Sequence, residues 1–308
     1  MSLKILQKGI NSIPVDLGRR HYQHLGVSVG GPMDLHAALW ANHLVDNAID
    51  CAQIEICHGH FRGQFQATCV IAITGADMNA TLNGHPITPW ASMAVIAGDE
   101  LNLAGPADGF YAYLAIAGGF NISPQLGSVC AVKRDGLGGL YQDGEGLQND
   151  DVVQFDKSAQ SVALKRTPPA YVPKYSGDLS LGVIECYQHH LFSAEQQQSV
   201  YQQSFEVSSK LNRQGSCLQG EAIVYDGPQL ISEGIAYGAI QIPPDGQPIV
   251  LMRDRQSIGG YPKFGCVSAL DTGKLAQRRP GATVRFQPVS LNNSQRQLKQ
   301  LLRFFTQT

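Results

Sequence analysis

Apolar residues along this chain occur in short runs bounded by Gly, Pro, Asn and Asp, a pattern typical of β-strands joined by turns. The run 69–73 is continuously apolar and predicts a buried strand. Asn83-Gly84 separates two short apolar segments, 80–82 and 85–87, which is a strong hairpin signal. The first half of the chain is therefore predicted to be mainly β, arranged as a barrel or a sandwich.

Helical spacing is confined to a few segments. Gly30-Gly31-Pro32 precedes an apolar stripe, and proline suits the first turn of a helix, so we predict that a helix starts at Pro32. Ser193 and Gln196 have the spacing of a capping box and predict a helix that ends near Gln203. The C-terminal segment predicts an amphipathic helix whose apolar face contains Leu298, Leu301, Leu302 and Phe305.

A polar, proline-containing segment divides the chain. Residues 156–180 include Pro168, Pro169 and Pro173, which is typical of a linker. A chain of 308 residues suggests two domains at the usual ~100–200 residues each. We therefore predict an N-terminal domain over 1–165 and a C-terminal domain over 166–308.

The segment 238–281 concentrates polar side chains between strand-like runs. The segments 239–242 and 248–252 predict a hairpin with a longer loop. Polar residues follow at once, and Gly259-Gly260 permits a close approach of the backbone to a ligand. Polar groups on a loop between buried strands can form a binding site, although a hydrated surface loop has the same pattern.

Composition excludes several classes of function. The formal net charge is −2, which gives no indication of a nucleic-acid partner. Apolar runs stay well short of the ~20 residues that a membrane span needs. The N-terminus has no long apolar core of a signal peptide, so we expect a cytoplasmic protein.

The seven cysteines predict neither a disulfide framework nor a metal site. Their number is odd, and they lack short paired spacing. Cys51, Cys57, His58 and His60 are close in sequence, but their spacing matches no closed zinc pattern. We expect these four residues to be ordinary core and edge residues.

Common catalytic signatures are absent from the sequence, including the serine hydrolase, zinc protease and dinucleotide-binding motifs. The run 134–146 contains five glycines but no following lysine-serine pair, so it is not a P-loop, and we expect a mobile loop.

The polar residues of the second half have a common chemistry. Arginine and lysine suit carboxylate or phosphate groups, whereas amides suit a lactam or urea-like group because they both donate and accept. Tyrosine or lysine can transfer protons. These side chains fit a small, planar, anionic substrate; the set is Asn212, Arg213, Gln241, Arg253, Asp254, Gln256, Tyr261, Lys263 and Gln277.

Ordered sequence blocks along nearly the whole chain resemble the biotin-dependent carboxyltransferase domain family. The longest, GAIQIPPDGQPIVLMRDRQSIGGYPK, occupies 238–263 and resembles the C-terminal signature of that family. The earlier blocks are Gly31-Pro32-Met33-Asp34, the segment 41–47, Glu55-Ile56, Thr74-Gly75-Ala76-Asp77, the segment 113–119 and Leu126-Gly127-Ser128.

The resemblance implies a mainly β fold of two tandem cyclophilin-like β-barrel domains with a few short helices. It implies one component of a 5-oxoprolinase that works with A-type and B-type partner proteins to convert 5-oxoproline to glutamate with ATP, bound on or shared with those partners. Two alternatives remain: a regulatory protein that antagonises a histidine-kinase inhibitor, and a carboxyltransferase of a urea or allophanate pathway. The carboxyltransferase role would need biotin. We consider that role the least compatible with the sequence, because the chain has no Met-Lys biotinylation site.

The resemblance also suggests site residues. Lys263 and Tyr261 are the candidate catalytic residues, and Lys263 is expected to face an anionic substrate or intermediate. The candidate substrate-binding residues are Asn212, Arg213, Gln241, Gln256, Gly259, Gly260, Asp16 and Arg19.

Two of the matching motifs depart from the family pattern. Asp16 and Arg19 follow Val15, where the family has glutamine. Asn212 and Arg213 match a second motif, but the flanking Leu211 and Gln214 do not.

Overall fold

The computed structural model describes residues 1–156 and 162–306, and the chain divides into two compact units. The first unit contains 1–20 and 30–175, and the second contains 21–29 and 176–308. Five residues of the predicted linker, 157–161, lie outside the described residues.

The segment after those five residues packs on the first unit. Arg166 forms a β-bridge with Ala91, and the Tyr175 hydroxyl donates to Asp34 Oδ2 at 2.8 Å. The contact-defined units thus differ from the predicted limits, 1–165 and 166–308, in where they place 166–175 and 21–29.

The first unit contains two antiparallel sheets. One has the strand order β11-β1-β4-β9-β6-β7 and the other the order β2-β3-β10-β5-β8. The strands are Ser2–Lys8 (β1), Asn11–Val15 (β2), Gln53–Cys57 (β3), Phe61–Phe65 (β4), Cys69–Asp77 (β5), Ala80–Leu82 (β6), His85–Pro86 (β7), Ala91–Val95 (β8), Glu100–Leu103 (β9), Asp108–Ile116 (β10) and Val152–Gln154 (β11).

Both sheets contribute side chains to one hydrophobic core. Phe61 and Leu101 come from the first sheet, and Ile56 and Leu114 come from the second. The predicted hairpin at Asn83-Gly84 is confirmed, with Leu82 opposite His85.

The helix of the first unit, Leu35–Leu44 (α1), starts later than predicted. We expected it to start at Pro32, but Asp34 is the N-cap and accepts from Ala37 N at 3.1 Å. The carboxylate satisfies a backbone N–H that the first turn leaves without a partner, so it determines where the helix begins.

A buried polar network, which we call the Glu55 network, supports this helix start. Glu55 Oε2 accepts from Tyr113 Oη and from Met33 N, both at 2.7 Å. The Tyr113 hydroxyl accepts from Asp34 N at 2.7 Å. Burial, followed by the nearby charge of Glu55, raises the pKa of Tyr113 well above its usual value.

The second unit is a closed barrel with the strand order β12-β19-β16-β17-β14-β13-β20. Its strands are Leu179–Glu185 (β12), Phe205–Leu211 (β13), Gly215–Gln219 (β14), Glu233–Gly234 (β15), Ala239–Gln241 (β16), Ile249–Leu251 (β17), Ile258–Gly259 (β18), Lys263–Val267 (β19) and Thr283–Pro288 (β20). Strands β15 and β18 form a separate two-stranded ribbon. The mainly β fold class is confirmed, with its closed barrel in this unit.

The helices of the second unit are Ala194–Gln202 (α2), Ala269–Ala276 (α3) and Leu291–Thr306 (α4). The predicted cap of α2 is confirmed, because Ser193 Oγ accepts from Gln196 N at 3.3 Å. The C-terminal helix is also confirmed, and of its predicted apolar face Phe305 is the buried member.

The segment 21–29 is fixed to the second unit by side-chain hydrogen bonds. Gln23 Nε2 donates to Ile235 O at 2.9 Å, and Ser28 Oγ donates to Arg255 O at 3.1 Å. A stretch near the N-terminus thereby becomes part of the second unit.

Candidate functional site

Two strands of the barrel bring Gln241 and Lys263 together. Gln241 is the last residue of β16, Lys263 is the first of β19, and the two are directly opposite each other in the antiparallel pair. Opposite residues project to the same face of a sheet. The register shifts between Ile240 and Gln241, and bulges of this kind commonly redirect side chains next to active sites.

Lys263 is a buried cation with a matched anion. Its residue is 6 % exposed, and its Nζ lies 2.8 Å from Glu233 Oε1. The same Nζ donates to Tyr261 O at 3.4 Å. A buried charge is costly unless it is paired, so Glu233 is what permits a lysine at this position.

Glu233 is held by further donors. Gln188 Nε2 donates to Glu233 Oε1 at 2.6 Å, and the Tyr187 hydroxyl donates to Glu233 Oε2. Gln188 also accepts from Lys263 N at 2.8 Å. The hydrogen bonds from Lys263 and then from Tyr187 lower the pKa of Glu233, whereas the bond to Glu233 raises the pKa of Tyr187.

Gln241 presents an unused donor. Its side chain is buried, its Oε1 accepts from Gln256 Nε2 at 3.4 Å, and its Nε2 has no acceptor among the described residues. An unsatisfied buried donor costs about 1–3 kcal/mol. A ligand oxygen would remove that cost.

Gly259 allows the backbone to approach this donor. A Cβ at Gly259 would lie 2.6 Å from Ile235 Cδ1 and 2.8 Å from Gln241 Nε2. Glu233 is opposite Gly259 in the β15–β18 ribbon, so the ribbon links the anion to the amide. We call the group Lys263, Glu233, Tyr187, Gln188, Gln241, Gln256 and Gly259 the Lys263 site.

Gly260 and Tyr261 lie on the same loop. A Cβ at Gly260 would be 3.3 Å from Ser232 Oγ, and Tyr261 is 46 % exposed. Tyr261 also lines a cavity of about 290 Å³, together with residues 222–225, 242–246 and Pro262. The candidate catalytic tyrosine therefore faces space that a small molecule could enter.

Asn212 and Arg213 are engaged in building the β13–β14 turn. Asn212 Oδ1 accepts from Gln214 N at 2.7 Å. Arg213 forms a buried bidentate pair with Asp254, with Nε–Oδ2 at 2.8 Å and Nη2–Oδ1 at 2.9 Å. These contacts fix the β13–β14 turn, and the role of both residues in substrate binding stays a prediction.

Asp16 and Arg19 belong to the first unit, whereas the other eight candidate residues belong to the second. Asp16 Oδ2 accepts from Val129 N at 2.7 Å, and Arg19 Nε donates to Gln125 O at 3.1 Å. Both side chains fix the backbone of one loop, 125–131. Their role in substrate binding stays a prediction.

The glycine-rich run is a packed loop. Gly138 N donates to Gln125 Oε1 at 2.8 Å, and Gly144 N donates to Gly138 O at 2.9 Å. A Cβ at Gly138 would lie 2.0 Å from Cys130 O. These two amides have acceptors within the protein, which differs from a loop open to phosphate.

Residues 1–156 and 162–306 contain no cluster of three or more His, Cys, Asp or Glu side chains that could hold a metal. The expectation that Cys51, Cys57, His58 and His60 bind no metal stays a prediction. In the same residues, no helix is both long and apolar enough to cross a bilayer.

Sequence reasoning missed Glu233, Tyr187 and Gln188. The sequence does contain a signal for Glu233, because it is the single charged residue in the run 227–244. Nothing comparable marks Tyr187 and Gln188, which meet the site only through the pairing of β12 with β19.

Comparison with known proteins gives matches over nearly the whole chain. Residues 25–288 match the family described as carboxyltransferase domain, subdomain A and B. The chain is 31% identical over 306 residues to the C subunit of 5-oxoprolinase from Escherichia coli, covering 99% of this chain and 97% of that protein. It is 32% identical over 286 residues to the C subunit of 5-oxoprolinase from Haemophilus influenzae, with coverage of 91% and 88%.

A solved structure is also similar. The urea carboxylase of Kluyveromyces lactis superposes with a TM-score of 0.92 and 25% identity over 99% of this chain. The match spans 29% of that enzyme, so this chain corresponds to less than a third of it.

Proposed function

Since the chain belongs to the carboxyltransferase domain family, subdomain A and B, we propose that it is the C subunit of an ATP-dependent 5-oxoprolinase that converts 5-oxoproline to glutamate. One observation carries the proposal: two relatives with this name are 31% and 32% identical over 97% and 88% of their own length. The likeness to urea carboxylase covers only a part of that enzyme.

The Lys263 site supports the proposal chemically. Lys263 Nζ and Gln241 Nε2 are donors on the same face of the β16–β19 pair, and a lactam carbonyl oxygen accepts two hydrogen bonds. When water adds to the carbonyl carbon, negative charge develops on that oxygen. Donors fixed beforehand stabilise this charge without having to reorganise.

The overall reaction opens the ring and consumes 5-oxoproline, ATP and two water molecules to give glutamate, ADP and phosphate. The oxygen of water bonds to the carbonyl carbon, the ring C–N bond breaks, and the nitrogen takes up a proton to become the amine of glutamate. Tyr261, whose carbonyl oxygen accepts from Lys263 Nζ at 3.4 Å, is the second candidate catalytic residue and would transfer that proton.

ATP is proposed to bind on, or be shared with, the partner proteins. In this chain the amides of Gly138 and Gly144 already have acceptors within the protein, so the glycine-rich loop does not fit a phosphate. Because the reaction consumes ATP, we place the proposed complex in the cytoplasm.

Reconstitution tests the proposal. The chain, co-expressed with its A-type and B-type partners, should co-elute with the B-type partner on size-exclusion chromatography at micromolar concentration. The complex should form glutamate from 5-oxoproline and ATP, whereas the isolated chain should not. Robust glutamate formation by the isolated chain, or separate elution, would contradict this role in a complex.

A further inference from the structure

Both carboxylate oxygens of Glu233 are occupied by donors. Oε1 receives Lys263 Nζ at 2.8 Å and Gln188 Nε2 at 2.6 Å, and Oε2 receives the Tyr187 hydroxyl. A carboxylate held at both oxygens has a fixed orientation. The cation that it pairs with is therefore fixed as well.

The pair leaves donors available but no net charge. Of the three N–H groups of Lys263, one points to Glu233 and one to Tyr261 O, so one remains without an acceptor among the described residues. Gln241 Nε2, on the opposite strand, is an uncharged donor that likewise has no acceptor there. The charges of Lys263 and Glu233 cancel.

Available donors without net charge favour the oxygen of a neutral carbonyl group over the oxygens of a free anion. A carbonyl oxygen needs directional donors and brings no charge. A free anion must also give up its hydration, which is costly unless a net positive charge compensates. Anion sites accordingly use uncompensated Arg or Lys groups.

We propose that Glu233 is a specificity-determining residue that cancels the charge of Lys263, so that the position between Lys263 and Gln241 accepts a neutral amide carbonyl oxygen and rejects an anionic oxygen such as that of phosphate. The inference rests on the proposed function to the extent that Lys263 and Gln241 face the substrate. Glu233 does not itself touch the reacting atoms, and it acts through Lys263.

Binding of two small probes to the full chain tests the idea without turnover. The probes are 2-pyrrolidinone, a neutral lactam, and inorganic phosphate, and the readout is the backbone amide shifts of Gly259 and Lys263 in the ¹⁵N-labelled protein. In the parental chain, 2-pyrrolidinone should shift both signals at concentrations at which phosphate does not. Stronger binding of phosphate than of lactam, or no lactam response at either amide, overturns the proposal.

The Glu233→Gln variant leaves the charge of Lys263 unmatched. Phosphate binding should then strengthen about tenfold, while the preference for the lactam is lost. The matched control is Glu185→Gln, because Glu185 is a carboxylate at the end of β12 whose Oε1 lies 3.9 Å from His189 Nε2, whereas the carboxylate paired with Lys263 is that of Glu233. This control should keep the parental preference, and equal phosphate binding in both variants overturns the proposal.

A third variant protects the test against misfolding of Glu233→Gln. Tyr187→Phe removes the hydrogen bond that the hydroxyl donates to Glu233 and the one that it accepts from Gln188, but no charge, so phosphate binding should stay weaker than lactam binding whatever the change in lactam affinity. Phosphate binding in Tyr187→Phe as strong as lactam binding overturns the role of charge. Glutamate formation by the reconstituted complex is measured separately, so failure of the proposed function is distinguishable from failure of this inference.

Discussion

The two units each contain a carboxylate bonded to a tyrosine, but the two arrangements differ in what they leave unused. In the Glu55 network, Glu55 is 1 % exposed and its partners are groups of the first unit that also fix the start of α1. In the Lys263 site, Glu233 is partly exposed, and a lysine and an amide keep donors without acceptors among the described residues.

The difference separates a structural network from a candidate binding site. A network whose donors and acceptors are used internally rigidifies the core. Donors left unsatisfied at the end of a barrel reduce stability and are retained where a ligand can use them. Shifted pKa values alone would not distinguish the Glu55 network from the Lys263 site, because both contain a tyrosine with a raised pKa.

The largest expected effect is on stability and concerns the Glu55 network. Tyr113→Phe removes the hydroxyl that accepts from Asp34 N and donates to Glu55 Oε2, and a buried group that loses its hydrogen bond costs about 1–3 kcal/mol. We expect the free energy of unfolding to fall by about 3 kcal/mol, measured by urea denaturation. The exposed Tyr141→Phe, which removes a hydroxyl bonded to Asp151, is the control and should change it by less than about 0.5 kcal/mol.

The next effect is on turnover and concerns Lys263. Lys263→Ala should lower glutamate formation by the reconstituted complex about ten- to a hundredfold, because a charge-assisted contact is lost. Lys263→Arg should retain much of the activity, with assembly and melting temperature measured for both. Lys274→Ala, on the exposed face of α3, is the control; parental turnover in Lys263→Ala would move the site elsewhere.

The third effect is smaller and concerns Gln241, where stability and substrate binding should not be lost together. Gln241→Met removes a buried donor that has no acceptor among the described residues, at the loss of the 3.4 Å bond that Gln241 Oε1 accepts from Gln256, so the free energy of unfolding should rise by about 1 kcal/mol. The KM for 5-oxoproline should rise about threefold to tenfold, as expected for one lost hydrogen bond. Gln297→Met, at an exposed position of α4, should alter neither quantity, and a large loss of stability in Gln241→Met would assign Gln241 to the core.

The smallest effect is the pH dependence of the stability that Glu233 contributes in the Lys263 site. The pKa of Glu233 is lowered in the folded state, first by its bond to Lys263. Its stabilising contribution is therefore present above the unfolded pKa of about 4.3 and is lost as the pH falls through the lower folded value. The melting temperature of the parental chain should exceed that of Glu233→Gln at neutral pH, and the difference should shrink in acid; a difference that grows in acid would reverse the assigned sign.

Local signals in the sequence determined much of the fold. The Asn83-Gly84 hairpin and the Ser193 cap were predictable because each depends on residues adjacent in the chain. Gln241 and Lys263 were predicted together because both lie in one polar stretch. The start of α1 was misplaced because a proline signal competed with a carboxylate cap.

What the tertiary structure alone decided is which polar residues meet. Glu233 and Gln188 reach Lys263 across 30 and 75 residues of chain, and strand pairing, not a local motif, sets those contacts. The tertiary structure likewise pairs Arg213 with Asp254, 41 residues away. It also connects the start of α1 to strands β3 and β10 through the Glu55 network. A sequence determines the types of polar groups and their local spacing. Whether a buried polar group has a hydrogen-bond partner depends on its neighbours in space. Only the fold therefore separates the donors that are used from those that remain available.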